Sequence, residues 1–281
     1  MVDWQRADTD SILSGAETID LQEEGSHGVL LLHGFGDTPQ TLALIARRLR
    51  KSGYGVLAPL LPGHGRNMSA FRRARADEWI DAARESLVQM RNRCATVSVI
   101  GLSMGAALAV LIAAESTAIA SLVLIAPYLG MPVQIRVAAA THWLWGSIAG
   151  EINARNPRSI HDSIEREQNL AYGAVTGRML HELSKVVRRA RRALPEVTTP
   201  TLLILSREDP RVAPAVAEFA LKKLGARDKK LMWTEGAGHI ITVDYGRERV
   251  FTEVESWLRA YDRPGATAAE RERAAVERRL S

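Results

Sequence analysis

Three residues far apart in the chain have the types and settings that nucleophilic chemistry requires. Ser103 lies in GLSMG, residues 101–105, with a glycine two positions away on each side. A serine hydroxyl is a weak nucleophile until a neighbouring base takes its proton. Of the seven histidines, His239 in EGAGHIITVD follows the last predicted strand on a glycine-flanked loop, a place from which an imidazole can swing over Ser103. A base of this kind needs a carboxylate to fix its tautomer and stabilise the imidazolium. Asp209 in SREDPRV follows a third predicted strand, with Glu208 as the neighbouring competitor. The chemistry that this set would perform is acyl transfer through Ser103.

The elements around these residues must place them at one edge. VSVIG is a β-branched run that leads into the serine, and a small, helix-favouring run leaves it. A sharp strand-to-helix turn strains the serine backbone and crowds its neighbours, and Gly101 and Gly105 relieve the crowding because they lack Cβ. The pattern Gly-x-Ser-x-Gly is weak by itself, but between a strand and a helix it defines a nucleophile elbow. The Met104 N–H then lies at the helix N-terminus, where the dipole favours an anion. A second donor for a developing oxyanion is expected from the loop after the strand GVLLLHG, which makes Phe35 N–H in HGFGD the candidate. His33 and His64, the latter in LPGHG, are expected to shape loops by hydrogen bonding.

Strands alternate with helices along most of the chain. GVLLLHG (28–34), YGVLAP (54–59), VSVIG, SLVLIAP (121–127), TLLILS (201–206) and KLMWTEG read as strands, and AETIDLQ (16–22) as an extra edge strand. Thr38 with Pro39 is expected to open a first helix that Gly53 ends, and Asp77 to cap a second. Near-continuous apolar strands alternating with helices specify an α/β fold, a mostly parallel central sheet covered by helices on both faces. Residues 1–127 and 200–262 form this core. Residues 128–199 are too long for an ordinary connection and are expected to be an inserted helical lid. The charged tail, 263–281, follows a Pro-Gly break and is expected to be a solvated helix.

Composition narrows the function classes. A 46% hydrophobic and 25% charged chain of 281 residues is an ordinary globular one. The net charge of +5 is carried in arginine clusters at 47–51, 72–75 and 188–192. No nucleic-acid-binding motif or interleaved aromatic accompanies them, so solvated helix faces are expected and no nucleic-acid partner. Cys94 is the single cysteine, a partly buried thiol that excludes an internal disulfide. The first residues lack a signal-peptide pattern and no apolar run reaches about 18 residues. The cytoplasm is the expected location, without a stable membrane anchor. No metal motif, phosphate loop or dinucleotide fingerprint occurs, so no metal and no cofactor are expected. Oligomeric state is not legible.

HGFGD, PGHG, GLSMG, SREDPRV and GHIITVD, in this order over about residues 28–260, resemble the α/β-hydrolase superfamily, and within it small-lid carboxylesterases and monoacylglycerol-lipase-like enzymes. The resemblance implies Ser103 as nucleophile, Asp209 as orienting acid, His239 as base, Phe35 and Met104 as oxyanion donors, and residues 128–199 as the lid. A small-molecule acyl ester is the expected substrate, and since each buried methylene is worth about 0.8 kcal/mol, a pocket for about six carbons would favour short to medium chains. Phe35, Tyr128, Leu129, Trp143, Leu144, Trp145 and Ile240 are the candidates to line an acyl pocket, although the two tryptophans could equally form the lid's own core. Other serine-dependent activities (thioesterase, lactonase or C–C hydrolase) and a non-catalytic ligand-binding role are the alternatives. A serine at the elbow argues against the dehalogenases and epoxide hydrolases of this fold, which use aspartate there.

Overall fold

The computed structural model describes residues 11–22, 27–144 and 150–261. Its centre is a seven-stranded sheet of β1 (Ile19–Leu21), β2 (His27–Leu32), β3 (Gly55–Ala58), β4 (Thr96–Leu102), β5 (Ile119–Ile125), β8 (Thr201–Ser206) and β9 (Lys229–Thr234), in the order β1-β3-β2-β4-β5-β8-β9. All neighbours are parallel except β1, which pairs antiparallel with β3 through Ile19–Ala58 and Leu21–Val56. The parallel arrangement brings the carboxyl ends of β2, β4, β5, β8 and β9 to one edge.

Alternate side chains of each strand feed two separate cores, which is why the strands read as unbroken apolar runs. Leu30, Leu32, Val97, Val99, Leu122, Leu124, Leu203 and Leu205 face one layer. That layer holds α3 (Ala76–Arg93), α4 (Met104–Glu115) and α8 (Ala215–Lys223). Val29, Leu31, Ile100, Leu102, Val123, Ile125, Leu202 and Ile204 face α1 (Ala43–Lys51) and α9 (Arg247–Tyr261) on the other side. Residues 104–113 of α4 are all buried. A helix without a polar face belongs inside the protein, and α4 lies between the sheet and two further helices.

The segment between β5 and β8 contains α5 (Val133–Ala140), the two-stranded pair β6 (Ile152–Asn153) and β7 (Ala174–Val175), α6 (Ser163–Gln168) and α7 (Gly177–Ala193). Its parts differ in packing. α7 buries Met179, Leu183, Val186, Val187 and Ala190 in the same core as α4. α5 buries Ala139 alone, and Val133, Val137, Trp143 and Leu144 around it are exposed.

Two helix starts differ from the expectation. The first helix is preceded by a 3-10 turn, Pro39–Leu42, and the Thr38 side chain makes no capping bond. Thr38 Oγ1 is instead buried and without a partner among the described residues. α3 begins at Ala76, so Asp77 lies inside its first turn, and Glu78 accepts the Arg75 N–H at 2.7 Å. A longer carboxylate three residues into the helix reaches back to the start more readily than Asp77 can. Each arginine cluster has a member paired with a carboxylate: Arg48 with Glu255, Arg72 with Glu151, Arg189 with Asp77. Cys94 is partly buried, which pushes its thiol pKa up. Among the described residues no helix is long and apolar enough to cross a membrane. The tail 263–281 and the first ten residues lie outside the described residues.

Candidate active site

The turn between β4 and α4 is built by backbone contact. Ser103 has φ 57° and ψ −114°, a conformation that costs a non-glycine residue free energy and persists only where the surroundings impose it. A Cβ on Gly101 would lie 2.3 Å from Gly105 O, and one on Gly105 would lie 2.0 Å from Leu32 O. Both positions therefore exclude any side chain. The turn is fixed by Ser103 N–H donating to Ile125 O at 3.0 Å, while Ser103 O accepts the Tyr128 N–H at 3.1 Å. The Ser103 side chain is left at the carboxyl edge of the sheet.

His239 bridges it to the loop after β8. His239 Nε2 is 2.8 Å from Ser103 Oγ, and Nδ1 is 2.8 Å from Asp209 Oδ2. The second oxygen of Asp209 accepts the Arg211 and Val212 N–H groups at 2.7 and 3.0 Å. Burial alone would raise the Asp209 pKa, but the charge and hydrogen bond of His239 and the two N–H donors hold it below the usual value. An ionised Asp209 that accepts from Nδ1–H leaves Nε2 as acceptor for the serine hydroxyl, the tautomer that this network requires. Glu208 points elsewhere and accepts the Gly236 N–H at 2.7 Å. None of the other six histidines is bonded to Ser103. His142 and His181 share Ala139 O, His161 meets Gly236 O, and His27 binds Ser98 and Thr96.

The turn after β2 is clamped from three sides. His33 Nδ1–H donates to Gly34 O at 2.9 Å, and its Nε2 accepts the Leu61 N–H. His64 Nε2 accepts the Gly36 N–H at 3.1 Å, and the Tyr172 N–H donates to Gly36 O at 3.0 Å. Between these anchors the Phe35 N–H donates to no protein group among the described residues. Met104 is the first residue of α4, so its N–H has no acceptor within the helix. A Cβ on Gly34 would be 3.4 Å from Ser103 Cβ, which sets how closely the two turns approach. Burial drives the His33 pKa down to about 4 and that of His64 well below its usual value. Both rings are therefore neutral and can accept as well as donate. The expectation missed Tyr172, which stacks on Phe71 at 4.6 Å and donates through its hydroxyl to Gly63 O. Nothing in the local pattern around a tyrosine in the inserted segment points to a partner over a hundred residues away.

Asp37, at the end of HGFGD, is also buried. Desolvation raises its pKa to about 7 against the smaller opposing effects of the Thr38 N–H, Thr41 and the Arg211 charge. A raised carboxyl pKa destabilises the fold progressively as pH climbs from the unfolded value toward the folded one, whereas the depressed His33 pKa destabilises it as pH falls below 6.5. The two dependences oppose each other. Asp37→Asn removes only the first, so its melting temperature relative to wild type is expected to rise between about pH 5 and about pH 8. Thermal unfolding at both pH values checks this, and a pH-independent difference would mean that Asp37 titrates normally.

The acyl-pocket candidates are spread out. Phe35 packs on Phe71 and Trp79 at 5.0 and 5.8 Å, and Tyr128 adjoins the serine turn through its N–H. Leu129 and Ile240 are buried in the cores of opposite faces. Trp143 is 71% exposed and so is not packed into the protein in this conformation, because α5 offers little buried surface to hold it. Trp145 lies outside the described residues. Among the described residues, no three His, Cys, Asp or Glu side chains gather as a metal site.

A mostly parallel sheet with a strained serine between β4 and α4 defines the α/β-hydrolase fold. The family described as serine aminopeptidase, S33 matches residues 24–245. The chain belongs to this family and is a serine hydrolase. It is 29% identical over 241 residues to a thermostable monoacylglycerol lipase of Bacillus sp. (strain H-257), covering 85% of this chain and 92% of that one. A structure reported for the metagenome-derived lipolytic enzymes LipS and LipT has a TM-score of 0.82 at 27% identity, covering 89% of this chain and 99% of that one. The monoacylglycerol lipase of Paleococcus ferrophilus, at 20% identity, a TM-score of 0.73 and coverage of 87% and 98%, shares the fold.

Proposed function

We propose that this serine hydrolase cleaves carboxylic esters of short- to medium-chain acyl groups, as a carboxylesterase or monoacylglycerol lipase, through an acyl-Ser103 intermediate. The observation that carries the reading is the continuous chain Asp209–His239–Ser103, with both contacts at 2.8 Å. Ser103 Oγ attacks the ester carbonyl carbon while its proton passes to His239 Nε2. The carbonyl oxygen becomes an oxyanion held by the Phe35 and Met104 N–H groups, each worth roughly 3–4 kcal/mol in the transition state. The C–O bond breaks, the alcohol leaves with the proton from His239, and the acyl group stays on Ser103. Water, deprotonated by His239, then attacks the acyl-enzyme and releases the acid. Asp209 stays ionised throughout and balances the imidazolium.

In this reading the inserted segment, 128–199, carries the lid over the acyl chain, which Phe35 and Tyr128 contact next to the nucleophile. The names of the Bacillus and metagenomic relatives support an ester substrate. A cytoplasmic location belongs to the same reading. Hydrolysis of p-nitrophenyl esters from acetate to palmitate tests it. Each buried methylene is worth about 0.8 kcal/mol, so kcat/KM is expected to climb by about fourfold per carbon from acetate and to level off at medium chains. A flat profile would overturn the defined acyl pocket, and inactivity on every ester would overturn the ester reading.

A further inference from the structure

We infer that Asp244 is a positioning residue for His239, and that it works by fastening the His239 loop to the inserted segment. The inference rests on the reading of His239 as the base. Asp244 is fully buried and makes no ion pair among the described residues. Its two carboxylate oxygens instead accept four backbone N–H groups. Oδ2 takes Gly238 at 2.7 Å and His161 at 2.8 Å, and Oδ1 takes Asp162 and Tyr245, each at 2.9 Å. One side chain therefore joins the residue before His239 to residues 161 and 162 of the inserted segment.

A second tie runs beside it. The N–H groups of His239 and Ile240 both donate to Ser159 O at 2.9 Å. A Cβ on Gly238 would lie 2.1 Å from Arg158 O, so the two backbones touch with no room for a side chain. Ser159 is in turn bound through its hydroxyl to Arg211 Nε at 3.0 Å, two residues past Asp209. The acid loop, the inserted segment and the base loop thus close a ring through Arg211, Ser159, His239 and Asp209. An imidazole that must meet a carboxylate on one side and a hydroxyl on the other tolerates little backbone drift, and a displacement of about 1 Å can cost about 10²-fold in rate.

Only a carboxylate fits the four-donor pocket. In Asp244→Asn one oxygen becomes an amide nitrogen, which accepts nothing and faces two N–H groups. The expected result, on p-nitrophenyl butyrate with sites counted by phosphonate titration, is a fall in kcat of roughly 10- to 100-fold. KM should stay within about twofold, because Asp244 holds the base and not the acyl chain. The NMR resonance of the His239 Nδ1 proton should broaden or move upfield as its bond to Asp209 loosens. Gly238→Ala, which pushes the loop off Arg158 O, should produce the same split and carries the test if Asp244→Asn does not fold. Full kcat per titrated site in either folded variant, with the proton resonance unchanged, would overturn the inference. Full activity in Ser103→Ala would instead overturn the reading on which it rests.

Discussion

Ser103→Ala is expected to lower kcat on p-nitrophenyl esters by a factor on the order of 10⁶, because the nucleophile of a triad cannot be replaced by water held at the same base. The fold should tolerate the change. Ser103 holds its turn through its backbone N–H and carbonyl, and alanine carries the same Cβ through the same strained dihedrals. Circular dichroism and melting temperature should therefore match wild type while labelling by a serine-directed phosphonate disappears. Substantial remaining turnover would place the nucleophile elsewhere. Retained labelling of wild type without hydrolysis of any ester would mean a live nucleophile with a different substrate.

Asp209→Asn should cost about 10⁴ in kcat, and the structure gives the reason a sign. Asp209 Oδ1 is held by the Arg211 and Val212 N–H groups. Those donors keep an oxygen facing them in the variant, so the new amide nitrogen must face His239 Nδ1. An N–H donor there forces Nδ1 to be the acceptor and puts the ring proton on Nε2. That tautomer cannot take the Ser103 proton. The geometry survives and the proton inventory does not, so the loss falls on kcat with little change in KM or stability. Near-full activity in Asp209→Asn would assign the orienting role to another carboxylate.

The apolar strand runs and the glycine spacing in GLSMG are legible because each is local, and the order of serine, aspartate and histidine because each residue follows its own strand. Strand burial is a property of a few consecutive residues, and the elbow glycines answer to a turn only five residues long. The parallel sheet followed from the alternation of strands with helices. The caps were less legible. Thr38 and Asp77 have the residue types of helix caps, but burial of Thr38 and the reach of Glu78 decided otherwise.

The sequence by itself determined the layered fold, the identity of the elbow serine and which loops carry its candidate partners. Only the tertiary structure decided what holds those loops in register. The four N–H groups on Asp244, the His64 and Tyr172 bonds to Gly36, and the Ser159 carbonyl under His239 all join residues from separate parts of the fold. Backbone donors and acceptors carry no residue signature, so a side chain that serves them looks in the sequence like any polar residue in a loop. The inserted segment shows the same division. Its length was evident, but that α7 packs into the α4 core while α5 lies exposed depends on which apolar stripe finds a partner surface.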